Sequence, residues 1–236
     1  MSGARSRLAG LDWSAITHEL WETGFAKTPP LLGRAECAGL IRLFARDERF
    51  RSHIDLARYR FGVGHYKYFA RPLPRLVEEL RTRLYAALAP VGNAWMEALG
   101  SDERYALDLP TFLAHCGRLG QRRPTPLLLH YHAGGYNCLH QDLYGAVAFP
   151  LQVTCMLSQP GEDFTGGEFL LVEQRPRAQS HGEVVVLERG EAVVFPSRHR
   201  PVRGARGWYR ATVRHGTSRV LVGERYTLGV IFHDAR

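Results

Sequence analysis

Hydrophobic positions along the chain follow two periods, and the change falls near residue 124. Before it, apolar residues recur every three to five positions, as they do on one face of a helix. Leu8, Leu11, Ile16 and Leu20 mark a first helical stretch over 8–22, and Ala38, Ile41, Phe44 and Ala45 a second over 35–46. After Pro74 the spacing is cleaner, with Leu76, Val77, Leu80, Leu84 and Leu88 on one face. Pro74 suits a first helical turn, and Pro90 is expected to end the run. In DLPTFLAHC, Asp108 can cap free amides while Pro110 occupies the first turn of another short helix.

Beyond residue 124 the apolar runs shorten and are punctuated by Gly and Pro. PLLLHYH, FPLQVTCML, GEFLLVE, EVVVLE, EAVVFP, RVLVG and RYTLGVIF read as strands, with turns at PGED, TGGE and ERGE. Such a series favours an antiparallel sandwich or barrel, with the helices covering one side of a sheet. No internal repeat is visible. The expected organisation is a helical N-terminal extension over 1–34 and a single domain over 35–236. The β-rich core of that domain spans about 124–235.

Composition narrows the class. The chain has 236 residues, 45% hydrophobic and 23% charged. That is enough apolar surface to offset backbone ordering, which excludes a disordered chain. No apolar run approaches the roughly 20 residues of a membrane-spanning helix. The opening MSGARSRLAGLDW lacks the apolar core of a secretory signal. Four cysteines, Cys37, Cys116, Cys138 and Cys155, are widely spaced and form no CxxC pair. A reducing cytoplasm is therefore expected.

The formal charge is +8, and nearly all of the excess is arginine, with lysine only at Lys27 and Lys67. Biased composition explains much of this, but position adds information. Between Glu191 and Glu224 there is no acid, and seven arginines fall there, Arg198 and Arg200 among them. Polyanions are plausible partners for such a stretch.

Candidate chemistry centres on Asn137-Cys138-Leu139-His140-Gln141-Asp142. On a strand, residues two apart face one side, so His140 and Asp142 can converge on one ion. Imidazole plus carboxylate suits ferrous iron, and a second histidine would complete a facial triad with three open positions. Two later residues compete for that place. His199 sits in a basic, Gly-rich context. His215 is followed ten residues on by Arg225, which opens a strand-like run and can hold a carboxylate in a bidentate pair. His215 is the stronger candidate. A 2-oxoacid would chelate the iron and reach Arg225 with its far carboxylate, and the Tyr131 phenol could donate a second hydrogen bond. Cys138 is read as a packed, reduced cysteine. The His130/His132 pair lacks an evident third ligand for a second metal.

At these residues the sequence resembles the 2-oxoglutarate- and Fe(II)-dependent oxygenases. The stretches that carry the resemblance are YHAGGYNCLHQDLYG (131–145), FTGGEFLLVE (164–173), GEAVVFP (190–196) and HGTSRVLVGERYTLGVIFH (215–233). The likeness implies an α+β fold with a double-stranded β-helix, or jelly roll, and a helical N-terminal half packed on one sheet. With ARYRFGVGHYKYFARPLP (57–74) and RTRLYAALAPVGNAW (81–95), the wider chain is similar to a bacterial oxygenase family described as acting on methylated, damaged DNA. LHQD, the later HG and the RY pair are also similar to the alkylation-repair dioxygenases. That similarity implies iron on His140, Asp142 and His215, with 2-oxoglutarate on Arg225 and Tyr131. O2 is the further cosubstrate. The alkylation-repair pattern has a second arginine six residues after the first, where this chain has Ile231. GGYNCLHQD is also similar to prolyl-hydroxylase-like members, which keeps a protein substrate in view.

For substrate contact, FGVGHYKYF (61–69) offers aromatic faces for a base and a cation for phosphate in Tyr66, Lys67 and Tyr68. Asn137, Arg198 and Arg200 join them as candidates, the arginines as a phosphate-holding rim. The expected reaction is C–H hydroxylation, foremost oxidative demethylation of an alkylated base in single-stranded or base-flipped DNA. A peptide or small-metabolite hydroxylase and a non-catalytic nucleic-acid-binding module are the alternatives. A cytoplasmic monomer with no membrane partner is expected.

Overall fold

The computed structural model describes residues 3–236; Met1 and Ser2, where the expected extension begins, lie outside the described residues. Five α-helices are present: α1 (Ala4–Ala9), α2 (Trp13–Glu22), α3 (Arg34–Leu43), α4 (Arg75–Ala98) and α5 (Leu109–Arg118). The N-terminal strands are β1 (Ala26–Thr28), β2 (Phe50–Asp55), β3 (Gly62–Val63) and β4 (His65–Phe69). After α5 come β5 (Leu127–His132), β6 (Tyr136–His140), β7 (Leu151–Met156), β8 (Phe164–Gly166) and β9 (Phe169–Gln174). The last are β10 (His181–Val185), β11 (Ala192–Pro196), β12 (His199–Gly204), β13 (Gly207–Thr217) and β14 (Val220–Val230). Among the described residues no helix is long and apolar enough to cross a membrane.

The strands form two sheets. The larger has eight strands in the order β1-β11-β7-β14-β5-β4-β2, with β8 joined to β14. The smaller has six in the order β10-β9-β13-β6-β3, with β12 joined to β13. The α+β class stands, but the expected double-stranded β-helix does not. Neither sheet closes or curls into a barrel; β1 and β2 end the larger one and β10 and β3 the smaller. The reason lies in the half that reads as helical. β1, β2 and β4 extend the larger sheet at its edges and β3 extends the smaller, so both remain open. These strands have two to six residues, too short to show a period of their own.

The helices pack on one face of the larger sheet. Leu8, Leu20, Leu40, Leu80, Leu84 and Trp95 share a buried cluster with Leu128, Val153, Cys155, Val194 and Leu228. The other face of that sheet looks at the smaller sheet. There Tyr131, Val193 and Phe195 meet Phe169, Leu171 and Val213, and the Phe169 and Phe195 rings lie 4.8 Å apart. Alternation along each strand sends one set of side chains to the helices and the other to the gap between sheets.

Two helical expectations change. The stretch 8–22 breaks into α1 and α2 around Gly10, and Asp12 caps α2 by accepting from Ala15 N at 3.0 Å. Pro90 does not end its helix; α4 runs through it to Ala98. The ring is exposed, and one lost backbone bond is outweighed by burial of Val91, Trp95 and Met96 in the next turns. Asp108 does cap α5, accepting from Thr111 N at 2.9 Å.

The C-terminus is tied to α4 by a buried polar knot. Arg81, fully buried, donates to Ile231 O at 3.0 Å, to Phe232 O at 2.8 Å and to Asp234 Oδ1 at 2.7 Å. Arg71 takes Asp234 Oδ2 at 2.7 Å. The Gln121 carboxamide donates to Asp234 O and Val147 O and accepts from Val147 N. This fixes the loop after β6 against the C-terminus.

Candidate metal centre and active site

His140 closes β6, and His215 lies directly opposite it on β13. Asp142 is two residues past the strand end, in the loop, and not on the strand as the spacing suggests. The turn of the chain nevertheless brings the three together. Asp142 Oδ2 is 3.2 Å from His215 Nε2, and Asp142 Oδ1 is 3.7 Å from His140 Nε2. One donor atom from each of the three lies within 4.8 Å of the others. Among the described residues this is the one group of three His, Cys, Asp or Glu side chains that converges so.

The protonation states suit a divalent cation. His140 Nδ1 lies 2.8 Å from the Cys138 carbonyl, which places the proton on Nδ1 and leaves the Nε2 lone pair toward the centre. Burial lowers the His215 pKa, assisted by the neighbouring His140, and keeps the imidazole neutral. Burial alone would raise Asp142. The two imidazoles and the hydrogen bond from the Tyr144 hydroxyl outweigh it, so the carboxyl lies well below its usual range. Two imidazoles and one carboxylate on a single side fit ferrous iron and leave further positions open.

A cavity of about 440 Å³ lies between the sheets, with this trio on its wall. Arg225 and Tyr131 face each other across the β14–β5 ladder and line the same space. Both are buried, and Asn137 Nδ2 donates to Tyr131 Oη at 3.3 Å. Arg225 Nε and Nη2 are buried without a hydrogen-bond partner. Burial pulls the guanidinium pKa down to about 10, so it stays cationic at neutral pH. An enclosed cation with free donors is costly unless an anion completes it. The far carboxylate of a 2-oxoacid fits that need in charge and in fork geometry. Two glycines make the room. Gly167, at φ +64°, would place a Cβ 2.9 Å from Arg225 Cδ, and Gly64, at φ +140°, would place one 2.6 Å from the Tyr131 ring.

Other candidates divide. Tyr66, Tyr68 and Asn137 line the cavity. Lys67 points to the opposite face of β4, where its ammonium donates to Phe44 O at 2.8 Å and pairs with Asp47 at 2.6 Å. Strand alternation explains the split. Arg200 is buried in an ion pair with Glu173 and donates to Trp21 O at 3.2 Å, so it binds β12 to α2 and forms no rim. Arg198 is exposed and lines a separate groove with His199 and Arg210. His199 is thus away from the trio. Cys138 is exposed and not packed, because β6 turns it outward at the cavity edge. His130 stacks on Tyr226 at 4.1 Å.

The sequence reading passed over two residues. Gln141, between His140 and Asp142 in the chain, lines the cavity and donates to Val213 O at 2.8 Å, tying the loop to β13. Tyr144 bonds Asp142. The sole signal in sequence is its place two residues after a ligand acid, which is uninformative in a loop.

Comparison with known proteins accords with this geometry. Two uncharacterised proteins of Mycobacterium tuberculosis, from strains CDC 1551 and H37Rv, are each 51% identical to this chain over 167 residues, covering 71% of it and 72% of the relative. A prolyl-4-hydroxylase from Pseudomonas putida has a similar fold, with TM-score 0.53 at 15% identity, covering 95% of this chain and 99% of that one. A prolyl hydroxylase from Trichoplax adhaerens, solved with a hypoxia inducible factor peptide, gives TM-score 0.56 at 15% identity, covering 98% and 91%. A 2OG-Fe(II) oxygenase family oxidoreductase from Burkholderia pseudomallei gives 0.55 at 15%, covering 94% and 89%. The family profile "Oxygenase, catalysing oxidative methylation of damaged DNA" matches residues 64–235, a span that holds the converging trio, Arg225 and Tyr131. Carrying that profile over most of its length, the chain belongs to the Oxygenase-NA family of 2-oxoglutarate- and Fe(II)-dependent oxygenases.

Proposed function

We propose that the chain hydroxylates a C–H bond of a peptide or protein side chain that enters the cavity between the sheets. The observation that carries the oxygenase chemistry is the buried Arg225 guanidinium, with two unpartnered nitrogens, in the same cavity as His140, Asp142 and His215. Ferrous iron held by His140, Asp142 and His215, with 2-oxoglutarate on Arg225 and Tyr131, would supply the oxidising power for hydroxylation, with one atom of O2 going to the C–H carbon and the other to succinate as carbon dioxide leaves. The protein's own residues bind and orient. The trio presents its donors from one side, Arg225 and Tyr131 anchor the far carboxylate, and the facing sheets exclude water. Leu127, Leu129 and Ile231 give the cavity apolar walls, which suit an uncharged side chain. No side-chain base is required.

A peptide substrate is supported by the prolyl hydroxylases among the similar folds, one of them solved with a peptide. Ile231, in place of a second arginine, points the same way. A second reading, oxidative demethylation of an N-methyl base, is supported by the family description and by the rim. Tyr59 and Phe61 are exposed and stacked, with ring centroids 5.7 Å apart, and alternate along the chain with the exposed Arg58 and Arg60. Such a rim suits single-stranded nucleic acid.

The two readings give different products. With Fe(II), 2-oxoglutarate and oxygen, a proline-rich peptide library should gain one oxygen atom by mass spectrometry, with matching succinate. Formaldehyde from methylated single-stranded oligonucleotides, with unmodified peptides, would replace the first reading by the second. Absence of any 2-oxoglutarate-dependent oxidation would sink both.

Arg225→Met should weaken 2-oxoglutarate binding by about 100-fold, since a bidentate charge pair is lost. The same variant without cosubstrate should melt no lower than the parent, because an unpaired buried cation has been removed. Calorimetric titration and thermal melts check both parts. Unchanged affinity would show that the guanidinium is not the anchor.

A further inference from the structure

We propose that Tyr144, backed by Tyr68, is a positioning residue that makes Asp142 ligate iron through one oxygen only. The inference rests on the metal-site reading above. The Tyr144 hydroxyl donates to Asp142 Oδ1, and the Tyr68 hydroxyl donates to Tyr144 Oη at 2.9 Å. The relay thus runs in one direction, from the β4 wall of the cavity to the carboxylate. Oδ2 is left as the oxygen beside His215, 3.2 Å from its Nε2. A carboxylate that binds through both oxygens takes two coordination positions. Capping Oδ1 limits Asp142 to one, so a six-coordinate ion keeps three positions for cosubstrate and oxygen.

The relay is held rigidly. Tyr68 is packed with Leu127 and Ile231, and Tyr144 packs on the same cluster. The position where a second arginine was missed in sequence is therefore occupied by a wall that supports a neutral hydrogen-bond donor. The Arg51 guanidinium lies 4.5 Å over the Tyr68 ring and donates to Pro124 O, which fixes the ring in plane and height. Arg236 N donates to Tyr144 O at 3.3 Å, tying the loop to the C-terminus. Both phenols stay protonated, because burial raises their pKa values far above neutral.

Tyr144→Phe removes the hydroxyl and keeps the ring. Outer partners of metal ligands typically contribute 10–100-fold in metal affinity. Anaerobic titration with Co(II), which also fills such sites, should show affinity about 10-fold weaker in Tyr144→Phe and an altered visible d–d spectrum. Tyr68→Phe should shift both in the same direction by a smaller factor and serves if the first variant folds poorly. Tyr209→Phe, which removes a hydroxyl from the β12–β13 hairpin outside the cavity and away from the relay, should leave both at parent values. Parent-like Co(II) affinity and spectrum in folded Tyr144→Phe, with only a lower melting temperature, would overturn the proposal and make the contact structural. The metal-site reading fails separately, through a parent protein whose Co(II) binding is insensitive to loss of His140.

Discussion

Replacing Asp142 or His215 by alanine is expected to reduce 2-oxoglutarate-dependent oxygen uptake to the uncatalysed background. Each supplies one of three donors on one side of the cavity, and both side chains are buried. Two donors without the third do not fix an ion against exchange with water. The paired variant should be no worse than either single one, because the ligands act as a unit. Oxygen electrode traces with succinate assay read the activity, and anaerobic Fe(II) titration reads the ion. Retained, iron-dependent uptake in either variant would show that the trio is not the catalytic centre. A non-catalytic nucleic-acid module predicts a different pattern, with oligonucleotide binding unaffected and no uptake in the parent.

The second large effect concerns stability. Asp234→Ala is expected to destabilise the fold by about 3–5 kcal/mol, the range for breaking a buried ion pair at one partner. Asp234 faces Arg81, which is fully exposed to nothing but protein, so the guanidinium would keep its charge and lose its counter-ion. Nearby carbonyls of Ile231 and Phe232 would solvate it only in part. For a chain of this size that loss corresponds to a fall in melting temperature of roughly 6–20 °C. Arg71→Ala is the internal control. Its side chain is 50% exposed, so its bond to the other carboxylate oxygen should contribute no more than about 1 kcal/mol. Thermal and urea melts distinguish the cases. Equal effects in the two variants would show that burial of Arg81 does not set the energetics of the knot.

Much of the candidate site was legible in sequence because its spacing is local chemistry. His140 and Asp142 are two residues apart, and Arg225 follows His215 by ten, so each pair is written in one short segment. The choice of His215 over His199 rested on that downstream arginine, and the fold places His215 opposite His140. Lys67 and Arg200 show where such reading fails. Both are cationic and lie in suggestive stretches, but each has a carboxylate partner far off in sequence, Asp47 at 20 residues and Glu173 at 27. A distant partner leaves no local trace. Tyr144 fails in the opposite direction, for it carries no motif and acquires its contact only where the loop turns.

The fold divides in the same way. Long helices and the C-terminal strands announce themselves through period, and the Asp108 cap through residue type. The amino-acid pattern by itself placed α5 and most strands from β5 on, though not β8, β12 or the start of β13, and it offered candidate metal-binding residue types and a candidate cation for an acidic cosubstrate. Only the tertiary structure decided that short N-terminal strands join both sheets, that neither sheet closes, and that α4 continues through Pro90. It alone decided which face each cation takes and what holds Asp142. The physical reason is range. Periodicity and capping are settled within a few residues, whereas strand pairing and buried ion pairs depend on free energies shared between segments far apart in the chain.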